Sequence, residues 1–383
     1  MTHTPPLSLW DRSAEEADYS APFDGDAATD IAIVGAGYTG LSTALHAAER
    51  GLDCYVLEAR QVGYGGSGRN GTIHAAHAPK GLYDLARRAE EWRRLGAPVD
   101  LLSANQTADK IGSSAFFGGL LDRRAGTINP MGYVRGLARV ALANGARIST
   151  GVRVQALRKD GGNWVLDTGQ GRVRAASVVL ATNAYTDGLW PGLDRTFTTI
   201  HFFQLATKPL GERVAGILRD GQGIWDTGTI MFALRRDAFG RLIVGSMGPV
   251  VGGEHGLSKR WAARRLQYLF PDLGPVEFEQ AWHGSIAMTP DHLPRIHRLA
   301  DGLYTPIAYN GRGIAPGTVF GKAMAELLAG GTVFGKAMAE LLAGGTEEDL
   351  PLPISEPKTL AMGALHMRVL QAAFTANQWL KSL

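Results

Sequence analysis

Cysteine is nearly absent: Cys54 stands alone among 383 residues. One thiol builds neither a disulfide framework nor a cysteine-based zinc site, and no metal site is expected. Such a chain suits a reducing compartment, so a cytoplasmic location is expected. Long apolar runs are also missing. No stretch approaches the roughly eighteen apolar residues that span a bilayer, so no membrane span is expected. Met1–Trp10 has no basic region followed by an apolar run, and is not read as a secretory signal. Charge of one sign is scarce as well. The net charge is +3 and no Lys/Arg run occurs, which argues against nucleic acid or an anionic membrane as partner.

What is present is an ordinary folded composition, 45% hydrophobic and 20% charged, on a chain long enough for two domains. Glycine is plentiful, at 50 residues, as expected where the backbone approaches a large ligand closely. Residues 1–28 are polar, contain Pro5, Pro6 and Pro22, and read as a surface arm. Asp30–Val34 is an apolar run typical of a buried parallel strand. A glycine turn follows, then helical spacing over Leu41–Arg50 and a second strand over Asp53–Leu57. Together these form a βαβ unit. Further helices are expected over Leu82–Leu95 and Tyr133–Asn144, and strands over Arg147–Lys159, Asn163–Asp167, Ala176–Ala181 and Leu303–Ile307. The stretch His201–Gly248 reads as several strands with turns. The segment Gly317–Gly330 recurs unchanged as Gly331–Gly344. Two copies do not make a solenoid. Paired glycines at the junction predict two short helices, the second an excrescence. The tail beyond Lys358 is expected to be a helix docked on the protein's own surface.

Gly35-Ala36-Gly37-Tyr38-Thr39-Gly40 lies between the first strand and its helix, the context in which a GxGxxG pattern carries meaning. Gly35 makes the tight turn, Gly37 lets a diphosphate approach the backbone, and Gly40 lets helix and strand pack. The helix N-terminus then faces the phosphates. Glu58 ends the second strand, eighteen residues past Gly40, where a carboxylate accepts hydrogen bonds from a ribose diol. The loop Gly65-Gly66-Ser67-Gly68-Arg69-Asn70-Gly71 offers many backbone N–H groups and one cation. It suits a diphosphate and a flavin edge, and a nicotinamide enzyme has no evident use for it. Val178–Ala184 is an apolar strand ending in small residues, and Asn310-Gly311-Arg312-Gly313-Ile314 is a second glycine-rich helix start. The latter suits the pyrimidine end of a flavin, where negative charge develops on reduction.

These motifs, with Thr289–Pro294 (TPDHLP), resemble in sequence and order the D-amino-acid-oxidase-like flavoproteins, and within them the γ-glutamylputrescine oxidase branch. The likeness runs from about Asp30 to about Pro353. It implies an α/β fold: a discontinuous GR2-type Rossmann FAD-binding domain and a smaller β-rich α+β substrate domain. The expected division is a 1–28 arm; an FAD-binding domain from 29–80, 126–190 and 282–346; a substrate domain from 81–125 and 191–281; and a 347–383 tail helix. The resemblance implies non-covalent FAD, because no late cysteine is available for attachment. It assigns cofactor contacts to Gly35, Gly37, Tyr38, Thr39, Gly40, Glu58, Ala59, Arg60, Gly66, Ser67, Gly68, Arg69, Asn70, Val154, Ala181, Thr182, Asn310, Gly311, Arg312, Gly313 and Ile314.

The implied reaction oxidises the C–N bond of a small-molecule amine by hydride transfer to flavin N5, with oxygen or another acceptor taking the electrons. Relatives that oxidise α-amino acids often carry a carboxylate-clamping arginine two residues after the glycine of a Trp-x-Gly stretch. Here Trp282-His283-Gly284 leads to Ile286, which favours an amine without a carboxylate on the reacting carbon. Trp282 and Tyr309 are candidates to line the substrate pocket. Two departures stand out. Relatives carry a long helical segment after the glycine-arginine loop, and here the join falls near Gly71. The other departure is the exact repeat. Both keep open an alternative: a rearranged, catalytically impaired flavin-binding copy.

Overall fold

In a computed structural model the protein is described over residues 8–63, 73–331, 352–360 and 363–382. In chain order the helices are α1 (Leu9–Ser13), α2 (Tyr38–Ala48), α3 (Pro79–Arg94), α4 (Ala104–Ile111), α5 (Pro130–Ala143), α6 (Leu257–Leu269), α7 (Ile314–Gly331) and α8 (Gly363–Leu380). The strands are β1 (Ala27–Val34), β2 (Cys54–Leu57), β3 (Ile73–Ala75), β4 (Val99–Leu102), β5 (Gly119–Asp122), β6 (Arg147–Ser149), β7 (Ala156–Asp160), β8 (Asn163–Asp167), β9 (Arg172–Leu180), β10 (Thr198–Thr207), β11 (Ile224–Asp226), β12 (Phe232–Arg236), β13 (Leu242–Met247), β14 (Phe278–Met288), β15 (Arg295–Ala300), β16 (Leu303–Ile307) and β17 (Ile354–Ser355).

Two sheets organise the molecule. The first runs β17-β15-β16-β9-β1-β2-β6, with β8 and then β7 branching from β9. Its centre, β16-β9-β1-β2-β6, is parallel. Ile31 and Ile33 are fully buried in one core with residues of α2, α5 and α7. Ala32 and Val34, on the opposite face, pack with Trp164 and Leu166 of β8. A strand covered on both faces is apolar throughout, which is why this run has no polar alternation. The second sheet runs β14-β10-β13-β12-β11-β3-β5-β4. Its core joins Phe203, Leu205 and Val244 to Trp261 and Leu266 of α6.

Helix α2 meets α7 through glycine. A Cβ on Gly321 would sit 2.5 Å from the Ser42 Cβ, and one on Gly317 3.1 Å from the Thr39 Oγ1. Ser42 Oγ donates to the Thr318 carbonyl at 2.7 Å. The first copy of the repeat is thus the buried partner of the helix that follows the glycine turn. Helix α7 is described to Gly331 and includes both paired glycines, Gly330 and Gly331. The second copy, Gly331–Gly344, lies outside the described residues from position 332 onward.

Several expectations are corrected. The first 28 residues are not only a surface arm. A capping box between Ser8 and Asp11 starts α1, and Leu9 and Trp10 are buried. Average polarity hid two residues that anchor the segment. The stretch Arg147–Lys159 is not one strand. It stops at Ser149 and resumes at Ala156, and Val152, Arg153 and Val154 between them line a cleft. Strand β3 pairs with β5 and β11 in the second sheet, not with the first sheet as the 29–80 segment implied. Strand β14 is continuous from Phe278, so the division at 282 falls within one strand. Helix α2 begins at Tyr38, three residues before the apolar spacing does. Helix α8 docks as expected. Phe374 and Gln378 are buried, and Gln378 Oε1 accepts from Ser258 Oγ at 2.8 Å.

Candidate cofactor cleft and active site

A cleft of about 340 Å³ opens at the C-terminal ends of β1, β2 and β9. That is where open parallel sheets bind ligands. Gly35, at φ +108°, makes the turn after β1, and a Cβ there would press on the Ala181 carbonyl at 3.0 Å. A Cβ on Gly40 would sit 2.0 Å from the Gly35 carbonyl oxygen, so only glycine lets α2 start this close. Gly37 differs from both. It is the N-cap of α2, with extended backbone, and a Cβ there would meet nothing within 4 Å. No side chain caps the helix, so the first-turn N–H groups face the cleft.

Glu58 stands opposite. Its Oε2 accepts from Ala36 N–H at 2.8 Å and its Oε1 from Arg60 N–H at 2.9 Å. Burial raises its pKa above the ordinary 4.5, partly offset by those backbone bonds. Ala59 and Arg60 continue the wall, and Val152, Arg153 and Val154 close it. Val154 is buried, and its backbone N–H and C=O have no hydrogen-bond partner among the described residues. Ala181, Thr182 and Asn183 form the floor.

The far end is a tense loop. Ala308, Asn310 and Gly311 all have positive φ, at +62°, +53° and +82°. Non-glycine residues there cost about 1–3 kcal/mol each. Side chains hold the loop: Asn183 Oδ1 accepts from Ala308 N–H at 2.9 Å, and Asn310 Oδ1 from Thr289 N–H at 2.8 Å. Gly311 and Gly313 line the cleft just before α7. Ile314 opens α7 and packs toward the core, whereas Arg312 is exposed.

Tyr38 and Thr39 line the cleft as well. Gly66, Ser67, Gly68, Arg69 and Asn70 lie outside the described residues. Of the two aromatic candidates for the substrate pocket, Tyr309 lines the cleft and Trp282 does not. Trp282 is buried edge-on to Trp10, with centroids 6.2 Å apart, and is not on the cleft. Tyr309 touches the cleft, but its hydroxyl bonds Thr39 Oγ1 at 2.9 Å and its ring packs edge-on against Phe320. Burial pushes its phenol pKa up, so it stays neutral. Ile286, by contrast, does line the cleft, beside Ser285. Sequence reasoning missed Arg153, Tyr185, Asp187 and Ser285. Arg153 and Asp187 form an ion pair at 2.5 Å, and Tyr185 OH accepts from Ser285 N–H at 3.1 Å. No motif marks Arg153 or Asp187, because they meet only through the fold, while Tyr185 and Ser285 lie in or beside motifs that gave them no role.

The residues present fit FAD. The room beside Gly37 suits a diphosphate that a side chain there would displace. The Glu58 carboxylate suits a ribose diol, and the Val154 amide, without a partner among the described residues, suits an adenine edge. Cys54 is no attachment point. It is fully buried on β2, its Sγ donates to the Ala44 carbonyl at 3.2 Å, and burial pushes its thiol up to about 12. Among the described residues no His/Cys/Asp/Glu cluster suits a metal, and no helix is long and apolar enough to cross a membrane.

Comparison with known proteins agrees with this geometry. Gamma-glutamylputrescine oxidoreductase of Escherichia coli is 29% identical over 381 aligned positions, which use 83% of this chain and 88% of that protein. The alignment is longer than the part of the chain it uses, so that relative has residues this chain lacks. A probable oxidoreductase, OrdL, of Rhizobium meliloti is 26% identical, over 85% of this chain and 89% of that one. Among solved structures, L-proline dehydrogenase from P. horikoshii superposes with a TM-score of 0.70 at 18% identity, covering 84% of this chain and 100% of that one. Glycine oxidase from Geobacillus kaustophilus gives 0.67 at 19%, covering 79% and 94%. The profile of the DAO family, FAD-dependent oxidoreductases, matches in two stretches, residues 30–78 and 69–327, meeting where the glycine-arginine loop joins β3. The chain belongs to the DAO family and is an FAD-dependent oxidoreductase.

Proposed function

We propose that the protein oxidises the C–N bond of an amine whose reacting carbon bears no carboxylate, with γ-glutamylputrescine as the representative substrate. The observation that carries this reading is Ile286. It lines the cleft, at the position where the family resemblance implies that α-amino-acid-oxidising relatives often carry an arginine, and an aliphatic chain makes no bidentate pair with a carboxylate. The likeness to gamma-glutamylputrescine oxidoreductase supports the same choice.

FAD, when bound, supplies the acceptor for the hydride. The chain's own residues bind and orient. The α2 N-terminus and Gly37 would hold the diphosphate, Glu58 the ribose, and the α7 N-terminus would stabilise the negative charge gained on reduction. We assign no acid–base residue, because amine oxidation by hydride loss requires only a neutral amine and correct placement. In balance, amine, oxygen and water give aldehyde, ammonia and hydrogen peroxide. The single buried cysteine suits a reducing compartment, and we place the reaction in the cytoplasm.

The test is turnover. Stoichiometric aldehyde, ammonia and peroxide from γ-glutamylputrescine, with none from simple α-amino acids, supports the reading. The reverse preference overturns it. A second reading rests on the broken family match at residues 69–78: an impaired flavin-binding copy. It predicts bound FAD without turnover, and a gain in flavin content when a family-like segment is inserted after Asn70.

A further inference from the structure

A basic cluster stands beside the cleft on the second sheet. Arg88 Nη1, on α3, lies 3.1 Å from His74 Nδ1, on β3. That ring nitrogen accepts, so His74 is neutral, and burial together with the nearby arginines holds its pKa at about 4. Its ring stacks on Trp225, with centroids 5.1 Å apart. Arg312, between cleft-lining Gly311 and Gly313, is close enough for its charge to act on both His74 and Arg88. Neither arginine has a carboxylate at ion-pair distance among the described residues. Asp84 and Glu91 act on Arg88 only from further away.

Arg312 ties the cluster to the cleft through its cleft-lining neighbours Gly311 and Gly313, and strand register fixes the face of the second sheet on which the cluster lies. His74 pairs with Trp225, Trp225 with Ala233, Ala233 with Gly245, Gly245 with Gln204, and Gln204 with Trp282. Directly paired residues share a face, and so does every second residue along a strand. His74 and Trp225 therefore lie on the same face of the sheet as Ile286. Half-buried Arg88 loses hydration and, with no carboxylate at ion-pair distance among the described residues, is repelled by exposed Arg312; an anion from outside offsets both costs.

We propose that Arg88 and Arg312 form an anion subsite for the substrate carboxylate at the end remote from the reacting C–N bond. His74 is a positioning residue that fixes the Arg88 guanidinium, and Trp225 floors the subsite. The inference rests on the amine-oxidising function proposed above. Ile286 denies a carboxylate its clamp next to the reacting carbon, and the arginine pair receives one further away. Glutamylated amines thus gain over free diamines.

The experiment compares wild-type holoenzyme with Arg88→Met and Arg312→Met, on two different elements. Glutarate, a dicarboxylate without an amine, is titrated while the flavin bands and the heat of binding are followed. γ-Glutamylputrescine and putrescine are then added anaerobically to separate samples. Loss of one charge-assisted contact is expected to weaken glutarate and γ-glutamylputrescine by about tenfold or more. Putrescine, a dication, does not weaken. Equal glutarate affinity in all three proteins, or no glutarate binding to wild type, overturns the subsite even if both amines bleach the flavin. Glutarate binding that falls in the variants upholds it even if neither amine reduces the flavin, in which case the proposed function fails instead.

Discussion

Gly37→Ala separates ligand space from packing space more cleanly than any other single change. The Gly37 backbone is extended, with φ −90° and ψ −173°, and its Cβ position is empty to 4 Å. Alanine therefore introduces no strain and no clash, and the apoprotein should keep its stability within about 0.5 kcal/mol. The added methyl occupies the space assigned to the diphosphate. Overpacking of that size costs about 1–3 kcal/mol, or roughly five- to 150-fold in Kd. Gly40→Ala is the counterpart. Its Cβ falls 2.0 Å from a backbone oxygen, so α2 must move, with a loss of about 3 kcal/mol in the apoprotein itself. Thermal melts of both apoproteins and FAD titrations by absorbance read the two effects separately. Wild-type FAD affinity in Gly37→Ala, or a melting loss as large as that of Gly40→Ala, would refute the placement of the diphosphate.

Glu58→Gln keeps a carbonyl for one backbone N–H but loses the charge, and FAD affinity should fall by about 1–2 kcal/mol, measured by the same titration. The pH dependence follows from the raised Glu58 pKa. The folded apoprotein holds this proton more tightly than the unfolded chain, so its contribution to stability falls as pH rises from about 4.5 through the folded value. FAD affinity moves the other way, rising over the same window as the carboxylate forms, and both trends should vanish in Glu58→Gln. Phe374→Ala removes the buried anchor of α8 from the face holding Ile200, Phe202 and Ile286, and a loss of about 3 kcal/mol is expected in chemical denaturation.

Local chemistry made much of this molecule legible before its structure. The apolar run at Asp30, the glycine turn and Glu58 lie within about thirty residues and obey short-range rules, and the structure brings them to one cleft. Val154, Ala181, Thr182, Gly311 and Gly313 came through the family resemblance, and they too stand on that cleft. What stayed hidden depends on pairings distant in sequence. Strand β3 is three residues long, and nothing in Ile73-His74-Ala75 says that it joins β11 rather than the first sheet. Trp282 looked like a pocket residue because tryptophan near a ligand motif suggests one. Its partner Trp10 lies in a segment whose polarity disguised it. Tyr309 is held by Thr39, 270 positions away. In the basic cluster only Arg312 belongs to a motif, the glycine-rich start of α7; Arg88 and His74 have none, since separate elements bring them to it.

The most direct test of the central claim is the visible spectrum of the purified protein, reconstituted with FAD, before and after anaerobic addition of γ-glutamylputrescine. Flavin bands that bleach on addition are the predicted result, and would establish cofactor and substrate class together. Bands that persist with this amine but bleach with an α-amino acid would contradict the reading of Ile286. A protein that gains no flavin bands would contradict the cofactor site itself.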